Sequence, residues 1–208
     1  MSISRQNLSI VIVTFKSEMV VHECIKSIDH DIQIIIVENS NNSKFKNELE
    51  KTYDNVTCVL SSENLGMGAR NNIGIKKAKT DFILILNPDV ILEDSTINKL
   101  IVASQQIENF SILAPISSDV NYPNYKLKNN NKILVKNDSP FKVESVDGYS
   151  MLLNLKKLKQ FINFNFFDEN FFLYLENDDF CKRLQLINEN IFVVPKSKIY
   201  HLGGQAVD

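Results

Sequence analysis

A chain of 208 residues has room for one substantial hydrophobic core, and its 44% hydrophobic and 23% charged residues are ordinary globular usage, which excludes a disordered or fibrous protein. The formal net charge of -2 and a pI near 6.0 exclude a protein built to neutralise a phosphate backbone, so no nucleic acid partner is expected. Cys24, Cys58 and Cys181 are odd in number and far apart; they fit neither a disulfide framework nor a zinc pair and predict reduced, buried thiols in a cytoplasmic protein.

The N-terminus runs almost at once into apolar residues 8–13, too few to span a membrane and without the order of a signal peptide. Strands are predicted over 8–14, 33–38, 57–61 and 82–86, with helices over 19–28, 43–51 and 67–77 between them. Ile10-Val11-Ile12-Val13, Ile34-Ile35-Ile36-Val37 and Ile83-Leu84-Ile85-Leu86 are apolar on both faces, as parallel strands covered by helices on each side must be. A helix over 95–105 and a strand over 111–114 follow. The alternation then fails across 116–142, which holds Asn129-Asn130-Asn131 and is expected to be a long loop. A strand over 143–153, a helix over 177–187 and a last strand over 191–194 complete the pattern. With no repeat and no linker in sight, the expectation is one domain with a doubly wound, layered α/β architecture.

In open α/β sheets the ligand lies beyond the carboxyl ends of the strands, where loops and helix N-termini converge. The polar residues at those ends are Thr14-Phe15-Lys16, Glu38-Asn39-Ser40, Ser62-Glu63-Asn64 and Asn87-Pro88-Asp89. Glu38 alone is as well explained as a cap of the next helix. Asp89 offers an oxygen of the kind Mg²⁺ or Mn²⁺ takes together with substrate phosphates, although Asn-Pro-Asp is also good turn chemistry. Glu176, Asp178 and Asp179 crowd the start of a predicted helix, where the dipole stabilises carboxylates with or without catalysis.

Taken together, Ile36-Val37-Glu38-Asn39-Ser40, Asn64-Leu65-Gly66-Met67-Gly68-Ala69-Arg70-Asn71, Leu86-Asn87-Pro88-Asp89, the segment from Phe167 to Arg183 and His201-Leu202-Gly203-Gly204 resemble family 2 glycosyltransferases, in particular their rhamnosyltransferase-like branch. The resemblance leaves out only residues 116–142. It implies a GT-A-type, Rossmann-like three-layer α/β/α sandwich with a mostly parallel sheet, residues 1–115 serving a nucleotide-sugar donor and 143–208 the acceptor and catalysis. It also implies roles. Thr14, Glu38, Asn64, Gly66, Arg70 and Asn87 would face the donor nucleotide, with Gly66 letting backbone come close to the ligand. Asp147 and Gly148 would lie by the donor sugar, while Asp89 and His201 would hold Mn²⁺ or Mg²⁺.

The implied reaction is inverting transfer of a hexose or a deoxyhexose such as rhamnose from a UDP- or dTDP-sugar to a glycan or lipid-linked acceptor, with peripheral contact on the inner face of a membrane. The family's usual base position is Asn177 here, so the base falls to Glu176 first, then Asp178 and Asp179; Asp179 is also spaced for an ion pair with Arg183. Asn at positions 87 and 177, where the family carries acids, keeps open a catalytically silent donor-binding module of the same fold. The chain ends seven residues after His201, where related enzymes continue, which implies a shortened or naturally short form.

Overall fold

The order of elements follows from where apolar runs end and polar caps begin. β1 (Leu8–Thr14), α1 (Glu18–Lys26), β2 (Gln33–Glu38), α2 (Ser43–Thr52), β3 (Val56–Leu60), α3 (Gly66–Lys77) and β4 (Phe82–Leu86) alternate strictly; then come β5 (Val90–Leu92), α4 (Thr96–Gln106), β6 (Ile112–Ser117), β7 (Tyr125–Lys126), β8 (Phe141–Val143), β9 (Ser145–Val146), β10 (Ser150–Asn154), α5 (Leu155–Leu158), α6 (Glu176–Leu186) and β11 (Ile191–His201). The computed structural model describes residues 3–119, 123–128, 138–161 and 165–203. Asn129-Asn130-Asn131 and Gly204 lie outside them.

Nine strands form one sheet in the order β3-β2-β1-β4-β10-β6-β11-β5, with β8 added alongside β11. β1 to β4 are mutually parallel and β6 runs parallel to β11, whereas β10 lies antiparallel between β4 and β6. The sheet is therefore parallel where the sequence is apolar on both faces and mixed beyond it. Alternate residues of each central strand enter two separate cores: Ile10, Ile12, Ile34, Ile36, Leu84 and Leu86 pack with Val21, Phe45, Leu49 and Leu100 of α1, α2 and α4. Val11, Ile35, Ile83 and Ile85 pack with Ile75 of α3 and Phe180, Cys181 and Leu184 of α6 on the other face. This is the period of two acting at the level of the whole molecule, and it makes three layers. Each such fully buried side chain contributes about 1.5–3 kcal/mol. All three cysteines are buried and unpaired.

Three expectations are corrected. The stretch 143–153 is not one strand: it breaks at Asp147-Gly148-Tyr149 into β9 and β10, which belong to different sheets. The last strand does not stop at Val194, because a register shift between Val194 and Lys198 carries β11 past Pro195 to His201. Residues 116–142 are not loop throughout, since β7 pairs with β9 and the buried Asn124 amide donates to the Pro115 carbonyl (2.8 Å) and accepts from the Ser117 N–H (3.0 Å).

Candidate active site

The strand order turns between β1 and β4, and their carboxyl ends open on a cleft of about 430 Å³. Such a switch point is where open α/β sheets hold ligands. One side is built from Val13, Phe15, Asn39, Asn64, Gly66, Met67 and Asn71, and the other from Asn87, Pro88, Asp147, Gly148, Tyr149, Glu176, Asn177 and His201. Phe167, Phe172, Leu173 and Tyr174 close it over the top of α3.

Four buried side-chain oxygens have no hydrogen-bond partner among the described residues: Thr14 Oγ1, Asp89 Oδ1, Ser150 Oγ and Glu176 Oε2. Thr14 ends β1, Ser150 begins β10 opposite Leu86 at the end of β4, Asp89 follows β4, and Glu176 begins α6. All four therefore gather at the cleft end of the sheet. An unpaired buried oxygen costs about 1–3 kcal/mol, so such a cluster marks groups kept for something the protein does not itself supply.

Asp89 is 2% exposed, and its Oδ1 lies 3.4 Å from His201 Nε2. Backbone places the two together: His201 is opposite Val90 in the β11–β5 pairing, and the Leu202 N–H donates to the Asp89 carbonyl (3.0 Å). An orphaned carboxylate oxygen facing a ring nitrogen is a donor pair suited to Mn²⁺ or Mg²⁺. No group of three or more His, Cys, Asp or Glu that could hold a metal occurs among the described residues, so further ligands would have to come from substrate oxygens or water.

Glu176 is buried at the N-terminus of α6, facing the cleft. Burial holds its carboxyl above the usual glutamate range, and the charge of Asp178 adds to this, against the lowering effect of a backbone N–H. Asp147 is raised too, first by burial and then by Asp178, while Lys126 and His201 pull it down. The other acids of the cluster are committed elsewhere. Asp178 pairs with Lys126 (2.9 Å) and Asp179 with Arg183 (2.8 Å), and neither lines the cleft. Asn177 does line it, and its amide donates to the Val146 carbonyl (3.1 Å), which ties α6 to β9.

The donor-side residues divide in the same way. Asn64 and Asn87 line the cleft; Thr14 sits between the lining residues Val13 and Phe15. Glu38 does not reach it, because both carboxylate oxygens are used beside α2, accepting from the Ser40 N–H (3.0 Å), the Ser40 hydroxyl and the Asn42 N–H (2.6 Å). Arg70 is buried behind the wall: its Nε donates to Asn39 Oδ1 (2.6 Å) and its Nη2 to the Glu63 carbonyl. Asn39 in turn donates to Asn64 Oδ1 (2.7 Å), which also accepts from the Gly66 N–H (3.1 Å). Glu38 and Arg70 thus shape the loops, and Asn39 is the neighbour that meets the cleft.

Gly66 lines the cleft and also packs against the chain itself. It has φ +82°, and a Cβ there would stand 1.9 Å from the Phe172 carbonyl oxygen, which accepts from the Met67 N–H (3.0 Å). The close approach it permits is to the chain's own 172 backbone. Gly148 lets α6 come near, a Cβ there falling 3.2 Å from Asn177 Cβ. Tyr149 was not singled out from sequence; Asn39 was named among the polar strand-end residues, and Asn71 and the aromatic wall lay within the motifs that carry the resemblance, but none was given a role.

Comparison with known proteins fits this arrangement. The family model described as glycosyl transferase family 2 matches residues 9–190. The low-salt glycan biosynthesis hexosyltransferase Agl10 of Haloferax volcanii is 26% identical over 212 residues, covering 89% of this chain and 64% of that protein. Rhamnosyltransferase WbbL of Escherichia coli K12 is 24% identical over 221 residues, covering 92% of this chain and 82% of that protein. The chain therefore spans a little under two thirds of the length of the first relative. Among solved structures it is similar to GalNAc-T7 with UDP, GalNAc and Mn²⁺ (TM-score 0.72, 16% identity, 94% of this chain and 43% of that one). It is also similar to the mannosyltransferase PcManGT from Pyrobaculum calidifontis in complex with GDP-Man and Mn²⁺ (TM-score 0.71, 10% identity, 97% of this chain and 57% of that one). At these identities the structural likeness carries the fold alone, which is the GT-A type. With the family model matching residues 9–190 of 208, the chain belongs to glycosyl transferase family 2.

Proposed function

We propose that this chain is the transferase domain of an inverting glycosyltransferase, moving a hexose or deoxyhexose such as rhamnose from a UDP- or dTDP-sugar to a glycan or lipid-linked acceptor. The observation that carries this is the set of unpaired buried oxygens at the cleft, above all Asp89 Oδ1 beside His201 and Glu176 Oε2. The first is a cation ligand in waiting, the second a base.

Asn39, Asn64 and Phe15 bind the nucleoside from the β1–β2 side, where amides and one aromatic face suit a base and ribose. Asn87 reaches from the end of β4 toward the ribose or sugar, and Asp147 with the Gly148 backbone lies on the sugar side. Asp89 and His201 would hold Mn²⁺ or Mg²⁺. When bound, the ion supplies charge neutralisation to the departing nucleoside diphosphate. Glu176 takes the proton of the acceptor hydroxyl as its oxygen bonds to the anomeric carbon and the bond from that carbon to the diphosphate oxygen breaks; attack from the face opposite the leaving group inverts the centre. The wall of Phe167, Phe172 and Tyr174 keeps water from competing with the acceptor.

Asn87 and Asn177 favour a second reading, a donor-binding module without transfer. Metal-dependent release of sugar from the donor, measured on the chain, would count against it.

The test is a thermal-shift and calorimetric screen of UDP, dTDP, GDP and CDP with and without Mn²⁺, on wild type and Asp89→Ala. A native-state ligand at about 100 times its Kd raises stability by about 2.7 kcal/mol. Metal-dependent stabilisation by UDP or dTDP, lost in Asp89→Ala, is the expected outcome. If none of the nucleotides binds, the transferase reading fails.

A further inference from the structure

We propose that Tyr149 is a positioning residue for the cation site, holding the His201 imidazole edge-on to Asp89. This rests on the reading of Asp89 and His201 as metal ligands. Backbone pairing fixes where His201 starts: it ends β11 opposite Val90, and the Leu202 N–H binds the Asp89 carbonyl. Pairing does not fix where the ring points, because two side-chain torsions remain.

A metal-binding histidine is ordinarily oriented by a hydrogen bond from its second ring nitrogen to a carboxylate or carbonyl. Among the described residues no hydrogen bond reaches the His201 ring; its neighbours are Asp89 Oδ1 at 3.4 Å and the Tyr149 ring, stacked at 4.1 Å between centroids with planes 21° apart. The stack therefore does the orienting. A flat, near-parallel phenol leaves the imidazole free to slide but not to tip, so Nε2 stays within reach of the carboxylate.

Tyr149 is well placed to couple the two ligands. Its own carbonyl accepts from the Asn87 N–H (3.0 Å), so the residue whose ring sets His201 also braces the Asn87-Pro88-Asp89 turn. The following Ser150 pairs with Leu86, which anchors Tyr149 at the carboxyl end of β4 in the middle of the sheet. Both halves of the cation site thus lean on one residue, Tyr149, which itself lines the cleft. The proposal rests on the aromatic ring at this position and not on the hydroxyl, which is engaged by the Ser117 side chain.

The experiment measures free Mn²⁺ by electron paramagnetic resonance during titration of the full chain with saturating UDP or, in parallel, dTDP. Wild type, Tyr149→Phe, Tyr149→Leu and His201→Ala are compared, with nucleotide affinity in chelator and melting temperature as controls. Tyr149→Leu is expected to weaken Mn²⁺ binding about tenfold, Tyr149→Phe less than twofold, and neither to change nucleotide binding in chelator. The His201 Hε1 resonance is expected to move downfield in Tyr149→Leu as the ring current is lost. If the leucine variant melts below the working temperature, Tyr149→Met fills a similar volume without a π-face and replaces it. Wild-type Mn²⁺ affinity in Tyr149→Leu, with His201→Ala impaired, overturns the positioning role alone. Wild-type affinity in His201→Ala overturns the metal reading and this proposal with it.

Discussion

Glu176 is kept in a setting that opposes its charge. Its side chain is buried, its Oε2 has no partner, and burial raises its pKa, with the charge of Asp178 contributing. Because the folded pKa stands above the unfolded one, the native state holds the extra proton in the interval between them. Stability is then highest below the unfolded value and falls as pH rises through the folded one. Glu176→Gln removes the charge and keeps the shape. It is expected to lower turnover by about 10²–10⁴, the usual worth of a general base. It is also expected to stabilise the fold at neutral pH by about 0.5–2 kcal/mol, as relief of a functional compromise commonly does. The gain shrinks to nothing on acidification through that window, where the wild-type carboxyl is itself protonated. Urea unfolding of both proteins across pH measures it, and equal stabilities at neutral pH would remove Glu176 from the catalytic role. The acidic limb of the wild-type rate profile should likewise lie above the ordinary glutamate range.

At the scale of elements, α3 is pressed onto β1 and onto the segment before α6 through two glycines. A Cβ at Gly74 would stand 2.3 Å from Val11 Cγ1, on a β-branched side chain of a central strand that cannot swing away. Alanine gains about 1 kcal/mol in helix propensity over glycine but loses about 1–3 to overpacking. Overpacking wins, and Gly74→Ala is expected to be destabilised by about 1–2 kcal/mol in urea unfolding. Gly66→Ala adds a left-handed backbone to a clash with the Phe172 backbone, so it is expected to lose about 2 kcal/mol or more and to free the wall residues Phe172 and Tyr174 for faster proteolysis. The same contacts explain what could be read from sequence. β1, β2 and β4 announce themselves because both their faces are apolar and the signal is local. β11 beyond Val194 was hidden: Pro195-Lys196-Ser197-Lys198 has the composition of a turn, and the pairing with β6, resumed after a bulge, together with that of residues 199–201 with β5, keeps it extended. In the site, Asp89, His201 and Glu176 stood in recognisable motifs. Tyr149 stood in none, because its contact with His201 joins residues that are neighbours only after the sheet has formed.

The whole molecule carries a net charge of -2, and its cleft concentrates that sign. Asp147 and Glu176 line it, and no lysine or arginine does among the described residues. Arg70 is buried behind Asn39 and donates its bonds to the protein, and the Lys16 ammonium lies over the Phe15 ring, 5.5 Å from its centroid. A nucleoside diphosphate entering such a cleft meets oxygen dipoles and carboxylates, so on the proposed reading its charge would be balanced by an ion held at Asp89 and His201. Few exposed interactions are strong enough to substitute, since a contact in high dielectric is worth only about 1 kcal/mol. Removal of divalent ions by chelator is therefore expected to weaken UDP binding by at least about 100-fold, roughly 2.7 kcal/mol. Uridine, which presents the same base and ribose to Asn39 and Asn64 without the phosphates, is expected to bind within about twofold of its affinity with Mn²⁺ present. Calorimetry with the two ligands, each with and without chelator, separates the nucleoside pocket from the diphosphate pocket. UDP affinity that survives chelation would mean that the protein neutralises the diphosphate by itself, and the roles given to Asp89 and His201 would have to be withdrawn.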